Sequence, residues 1–229
     1  MMRKFLGPVW KRLPVGFRRS ARSARLERLV RKGDFESEEP EFRRLSEWLR
    51  EGDTALDIGA NFGTFTLRMS QLVGSDGHVF SFEPVPQTFA MLNRSIAARG
   101  CTNVCALNLA CSDTNGYVTM SIPDDPVTGE NLYGAHISLN GPALVRICCV
   151  RLDDLPLPIG EVRLVKIDAE GHDAQVIYGM WNLVAKSMPV LIIEHPAEDL
   201  RSRLHDLGYS SCRDPQSPNT VFVKSRPVL

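Results

Sequence analysis

Three features of the sequence predict a doubly wound α/β domain: a mostly parallel sheet with helices on both faces, one antiparallel strand, and an N-terminal helical extension. Short apolar runs alternate with helical stripes along most of the chain. The first of these runs enters a glycine-rich turn that opens a helix, and the last two are joined by a turn-rich segment. With 229 residues, 43% hydrophobic and 24% charged, the chain suffices for one single-core domain, which excludes disorder, collagen and coiled coil.

The elements follow in order. Phe42, Leu45, Trp48 and Leu49 fall on one face of a lead-in helix that Gly52 and Asp53 terminate. A strand over 54–58 passes into the turn and then a helix with the stripe Phe65, Met69, Leu72 and Val73. A strand over 78–82, a helix carrying Phe89, Leu92 and Ile96, and a strand over 104–109 continue the alternation. Later come a strand over 163–167, a helix through Val176 and Ile177, a strand over 190–193, and a helix through Leu200, Leu204 and Leu207. The runs 208–212 and 220–223, joined by RDPQSPN, read as a terminal hairpin that lays one antiparallel strand on the parallel sheet. Arg151-Leu152-Asp153-Asp154-Leu155 reads as a strand end turning into a short helix capped by Asp153 or Asp154. Residues 122–142 break the rhythm, with three Gly, three Pro and no periodicity. They read as a substrate loop or lid, with a disordered insertion as the alternative.

Charge divides the chain. Residues 1–33 carry 11 Lys or Arg against the single acid Glu27, a balance of +10, which leaves 16 basic and 26 acidic residues, or −10, in the remainder. The boundaries expected are a basic arm over 1–33 and a single domain over 34–229. The arm suits anionic lipid, an acidic partner or nucleic acid, or a loose packing on the body. No stretch approaches the roughly 18 apolar residues of a membrane span, and no apolar segment of signal-peptide kind follows the basic start, so the cytoplasm is the expected compartment. The six cysteines contain no C-x-x-C pair and mostly sit in apolar runs, which predicts buried reduced thiols in place of a disulfide frame or zinc site.

The sharpest motif is Leu56-Asp57-Ile58-Gly59-Ala60-Asn61-Phe62-Gly63, between a strand and a helix. Gly59 and Gly63 allow a ligand to approach backbone at the helix N-terminus, where free N–H groups suit an anionic or polar group. The glycines are four apart and Asp57 stands before them, unlike the dinucleotide pattern. An acid aimed into the turn would repel a pyrophosphate and attract an ammonium group. Asn61 is among the few side chains that tolerate a left-handed backbone. Glu83, 20 residues after Gly63 at the end of the next strand, is placed to accept both hydroxyls of a ribose, with a helix cap or surface charge as the plain alternative. Ser112 or Asp113, past the third strand, could meet an adenine amino group, although Asp113-Thr114-Asn115-Gly116 is also an ordinary turn.

LDIGANFG, FSFEPVP, NLACSD, VRLDDL, LVKIDAEGHDAQVIYGM and LIIEHP resemble, in order and spacing, the FkbM-type S-adenosylmethionine-dependent methyltransferases over roughly residues 41–224. The resemblance implies a class I methyltransferase fold with a seven-stranded sheet and an antiparallel strand near one edge. It implies S-adenosyl-L-methionine as co-substrate and O-methylation of a hydroxyl on a sugar, lipid-linked or secondary-metabolite acceptor. On this analogy Asp57, Gly59, Asn61 and Gly63 cradle the methionine part, Glu83 takes the ribose and Asp113 lies near the adenine.

The strand over 163–167 delivers Asp168, Glu170, His172 and Asp173 to its carboxyl end, where a doubly wound fold places chemistry. O-methylation needs an aligned acceptor oxygen and a group to take its proton. Asp168 and Glu170 are the first candidates, Asp168 also as a cofactor contact, and Glu194 and His195 could join them from the next strand. Helix capping is the alternative for Asp168 and Glu170. His172 departs from the apolar or aromatic residue usual in the family, and Asp173 keeps its acidic character. The clustered acids could hold Mg2+, which the spacing does not demand. The competing readings are a dehydrogenase, opposed by the glycine spacing, and an RNA methyltransferase using the arm for phosphates. The acidic body and the lack of an N-P-P-Y-type motif oppose the latter. A non-catalytic cofactor-binding or scaffold protein recruited by its arm is the reading from another class. A lipid-linked acceptor would suit peripheral contact of residues 1–33 with an anionic membrane.

Overall fold

The computed structural model describes residues 37–122, 124–125, 129–130, 136–137, 144–157 and 160–225. The basic arm over 1–33 and most of the loop over 122–142 lie outside the described residues.

The principal sheet has seven strands. They are β1 (Thr54–Ile58), β2 (His78–Phe82), β3 (Val104–Leu107), β10 (Val162–Ile167), β11 (Val190–Glu194), β12 (Tyr209–Cys212) and β13 (Asn219–Lys224), in the order β12-β13-β11-β10-β1-β2-β3. β1 pairs parallel with both β2 and β10, and β10 with β11. β13 alone runs antiparallel, between β11 and β12, as the terminal hairpin requires. The chain builds outward from β1 through β2 to β3 and then returns to the other side of β1. That reversal opens a crevice between the carboxyl ends of β1 and β10, where doubly wound sheets take ligands.

Alternation of side chains across the strands divides the core into two layers. Leu56, Ile58, Phe80, Phe82, Val165, Ile167, Leu191, Ile193 and Phe222 face one side and pack with α4 (Asp173–Gly179), α5 (Trp181–Ser187) and α6 (Glu198–Asp206). Ala55, Val79, Leu164, Ile192 and Val221 face the other, beneath α1 (Pro40–Trp48) and α2 (Thr64–Val73). Leu45 of α1 and Met69 and Val73 of α2 are fully buried there, and the Phe42 and Phe65 rings meet edge to face at 5.4 Å. Continuing along the same faces toward the carboxyl ends of the parallel strands, the apolar layer gives way to Asp57, Ser81, Lys166 and Glu194, with Asn219 beside them at the amino end of β13. α1 is pinned beside this polar end. Glu41 Oε2 accepts Ser217 Oγ at 2.8 Å, and Glu39 Oε2 accepts Asn219 Nδ2 at 2.8 Å. α3 (Pro86–Arg99) joins β2 to β3.

Four expectations are corrected. The third strand stops at Leu107 and the chain then starts a second sheet of four strands, β4 (Ala110–Cys111), β5 (Gly116–Ser121), β8 (His136–Ile137) and β9 (Leu144–Val150), in the order β4-β9-β5-β8. β6 (Asp124–Asp125) and β7 (Gly129–Glu130) form a separate two-stranded ribbon, so strand pairing enters the stretch read as a loop. The helix read through Val176 and Ile177 is two helices that meet at Met180. Cys111 and Cys149 are buried, whereas Cys105, Cys148 and Cys212 are exposed, because strand alternation in β9 and the edge positions of β3 and β12 turn thiols outward. Among the described residues no helix is long and apolar enough to cross a membrane.

Candidate active site

The turn after β1 is shaped by positive φ at Gly59 (77°), Asn61 (50°) and Gly63 (94°). The N–H groups of Gly59 and Ala60 both donate to Phe82 O, which ties the turn to the end of β2. On the opposite side Asp168 N donates to Ile58 O at 2.9 Å, and β10 closes so tightly that a Cβ on Gly59 would lie 1.9 Å from Asp168 O. Glycine is therefore required there by contact as well as by φ.

Glu83, just beyond β2, is 5% exposed. Its Oε2 accepts Asn61 N at 2.9 Å and its Oε1 accepts Val85 N at 2.9 Å. Burial pushes its carboxyl up to about 7 against these two N–H bonds, which favour the ionised form. Asn61 Oδ1 is buried without a hydrogen-bond partner, an unmet acceptor at the edge of the same turn.

These groups line one cavity at the carboxyl ends of the strands. Gly59, Asn61 and Glu83 stand on one side, with Pro84, Val85, Leu109, Ala110, Cys111, Met120 and Ile137 forming an apolar wall and Asp168, Glu170, His172 and Glu194 an acidic end. Met120 and Ile137 come from β5 and β8, so the second sheet builds part of the wall.

Several sequence expectations place residues elsewhere. Asp57 does not line the cavity. It is 1% exposed and its Oδ2 accepts Thr66 Oγ1 at 2.6 Å, because strand alternation turns its side chain under α2. Burial raises its carboxyl above the ordinary range, opposed by Lys166 and Thr66. Gly63 also lies behind the lining, against Leu92. Ser112 and Asp113 are likewise absent from the wall, which residues 109–111 form instead. Ser112 Oγ is paired with His172 Nε2 at 2.9 Å, and Asp113 is exposed. His195 has φ 46° but its side chain is 67% exposed and outside the cavity, since β11 ends at Glu194 and the chain turns away toward Pro196.

Asp168, Glu170 and Glu194 do converge on the acidic end. Neither Asp168 nor Glu170 caps α4, whose N-cap His172 makes no side-chain cap bond. Asp173 Oδ1 accepts Ala169 N at 3.2 Å and braces the turn between β10 and α4, with Glu170 held at φ 49°. Burial lowers the His172 imidazole below its usual range and raises the Glu170 carboxyl. Among the described residues no group of three or more His, Cys, Asp or Glu is arranged to hold a metal ion.

Sequence reasoning missed Lys166. It is 4% exposed in the middle of the sheet, its Nζ donates to Asp168 Oδ2 at 3.1 Å and it lies 4.7 Å from the centre of the Phe65 ring. Register places it directly beside Asp57. Lys166 lowers the Asp168 carboxyl against the effect of burial. On Glu194 burial acts first and the Asp168 charge second, and together they push it up to about 7. A lysine inside the otherwise apolar run 164–167 was the available signal, since an interior strand buries lysine only with a partner.

Residues 57–211 match the family model for the methyltransferase FkbM domain. Hexuronic acid methyltransferase AglP of Haloferax volcanii is 28% identical over 179 residues, which are 76% of this chain and 69% of that protein. Among solved structures, methyltransferase FkbM from Methylobacillus flagellatus KT aligns with a TM-score of 0.54 at 14% identity over 79% of this chain. This chain spans about half of that one, 50%. A putative rRNA methylase from Clostridium thermocellum aligns with a TM-score of 0.50 at 10% identity, over 81% of this chain and 95% of that one. At these identities the two structures show the class of fold alone. A family match that takes in the β1 turn, Glu83 and the acidic end of the cavity covers more than half of the sequence, and the chain belongs to the FkbM methyltransferase family.

Proposed function

We propose that the chain is an S-adenosylmethionine-dependent O-methyltransferase whose acceptor is a hydroxyl of a sugar, free or carried on a lipid. The observation that carries this reading is Glu83. It stands in the cavity with both carboxylate oxygens fixed by backbone N–H groups and an apolar wall alongside. A carboxylate so held presents its remaining lone pairs to a pair of adjacent hydroxyls, and the wall suits a flat, uncharged base. The residues present fit the co-substrate. Glu83 would hold its ribose, residues 109–111 with Met120 and Ile137 its adenine, and the turn with Asn61 the edge of its methionine part. Asp168, Glu170 and Glu194 place negative charge at the other end, where a cation is favoured.

When bound, S-adenosylmethionine supplies a methyl group on a positively charged sulfur. The protein's own part is to orient an acceptor oxygen, exclude water with the second sheet and offer a carboxyl for the acceptor's proton. The relative named for a hexuronic acid supports a sugar acceptor. The basic balance of residues 1–33 supports contact with an anionic surface that would present a lipid-linked acceptor.

Calorimetric titration of the purified chain with S-adenosylmethionine and with its demethylated product tests the reading, with Glu83→Ala alongside. Micromolar binding of both by the wild type, weakened at least tenfold in the folded variant, is expected. Absence of binding by the folded wild type would refute the proposal.

A further inference from the structure

We propose that Lys166 holds Asp168 ionised and so leaves the pocket's exchangeable proton on the Asp168–Glu194 pair at Glu194, which makes Glu194 the carboxyl that takes the acceptor's proton. Lys166 and Asp168 are then positioning residues. The assignment rests on the methyl-transfer reading above and selects Glu194 in place of Asp168, Glu170 or His195.

The geometry is that of a short chain of charges running from the interior to the cavity. Lys166 is buried, and among the described residues its one direct ion pair is to Asp168 Oδ2 at 3.1 Å. Asp168 follows Ile167, which is paired in register with Ile193, so Asp168 and Glu194 leave adjacent parallel strands on the same rung and both line the cavity. Two carboxyl groups on one rung of one cavity, each acting on the other's charge, hold one proton between them at neutral pH. Among the described residues Lys166 is ion-paired with Asp168 and not with Glu194, so the negative charge settles on Asp168 and the proton on Glu194. Among the described residues, the charged groups facing Glu194 are Asp168 and Lys166 from β10, Glu170 from the turn beyond it, and His195, whose Nε2 is 4.0 Å from Glu194 Oε1. Across the sheet β13 presents the uncharged Asn219.

A carboxyl poised near neutrality suits a proton acceptor better than Asp168, whose affinity for a proton Lys166 suppresses. In the transfer, the acceptor oxygen forms the new O–C bond and the electron pair of the broken C–S bond stays on sulfur. The hydroxyl proton passes to Glu194 in the ionised fraction that a value of about 7 leaves near neutral pH, and its side chain, 28% exposed, returns the proton to solvent.

Two measurements on the full chain test this without a known acceptor. The first is carboxyl 13C NMR titration of glutamate-labelled protein, with the Glu194 resonance identified by its loss in Glu194→Gln. The Glu194 midpoint should lie near 7, fall by about one unit in Asp168→Asn and rise in Lys166→Met, while Lys166→Arg, which keeps the cation, leaves it in place. Opposite displacements by two neighbours are not produced by a merely structural role, and Asp168→Asn reports on the pair even where Lys166→Met does not fold. The second is calorimetry at pH 7 in two buffers of different ionisation enthalpy. S-adenosylmethionine, a cation at sulfur, should release a larger fraction of a proton than its neutral demethylated product, and the difference should vanish in Glu194→Gln. A wild-type midpoint near the ordinary glutamate value, or a midpoint that neither neighbour moves, overturns the assignment. Failure of the co-substrate to bind would instead refute the functional reading and leave the titration result standing.

Discussion

The carboxylate of Glu83 accepts the backbone N–H of Asn61 at 2.9 Å, a bond between residues 22 apart that joins the tips of two neighbouring parallel strands. It fixes the left-handed conformation of Asn61 and the direction of the carboxylate at once. The turn and the ribose-binding candidate are therefore one unit, and damage to either half reaches the other.

Glu83→Gln replaces one of the two acceptors with an N–H2 group that faces a backbone N–H. Affinity for S-adenosylmethionine and for its demethylated product should fall together, by about 10- to 100-fold, because both carry the ribose. Calorimetry with the two ligands checks this, and a loss confined to one of them would contradict it.

The same carboxyl should make binding pH-dependent. Burial raises Glu83 to about 7, and ribose hydroxyls donate to its ionised form. Affinity should therefore weaken below pH 7 by up to about tenfold per unit. A Kd series for the neutral demethylated product between pH 5.5 and 8 measures it, and the slope should flatten in Glu83→Gln.

Gly59→Ala would drive a Cβ to within 1.9 Å of Asp168 O at a φ of 77°. The obstacle is backbone, so the ends of β1 and β10 must separate. A destabilisation of about 3 kcal/mol is expected from the clash and the strained conformation together. Urea denaturation at fixed pH gives the value.

Thr66 Oγ1 donates to Asp57 Oδ2 at 2.6 Å and lies 2.9 Å from Ser81 Oγ, in the buried layer beneath α2. Thr66→Val keeps the shape but removes a hydrogen bond from a carboxylate whose Oδ1 already has no hydrogen-bond partner. The cost should be about 2 kcal/mol in urea unfolding, with little change in ligand affinity, since Asp57 lies outside the cavity.

Stability should also vary with pH in a defined direction. Glu83 and Glu194 are raised from 4.5 to about 7, so between those values the folded state binds more protons than the unfolded one. Their contribution is full below pH 4.5 and is lost as pH rises through 7. Asp168, lowered from 3.8, acts oppositely, stabilising above that value and losing its contribution as pH falls through its folded-state value. Urea midpoints at pH 5 and pH 8 should differ less in Glu194→Gln than in the wild type.

Local pattern determined the order of strands and helices in the principal sheet apart from the end of β3 and the division between α4 and α5, and with it the antiparallel β13, the conformation of the turn at Gly59 and Asn61, and the place of Glu83 in the crevice. Each of these follows from the periodicity of apolar side chains or from the backbone freedom of a single residue. The second sheet was partly legible: Val118 and Met120, with Val145, Ile147 and Cys149, alternate with Tyr117, Thr119, Arg146 and Cys148. β4 and β8 are two residues each and the irregular segment separates β5 from β9, so pairing between distant residues, not propensity, fixes the sheet. Tertiary structure decided which acidic residues meet. Alternation sends Asp57 beneath α2, the turn after β11 carries His195 outward, and the parallel register brings Asp168 and Glu194 to the same rung with Lys166 below them. Spacing along a chain places a residue at a strand end. Which face it takes and which charge lies beside it depend on strand order and register, and those are settled only when the sheet assembles.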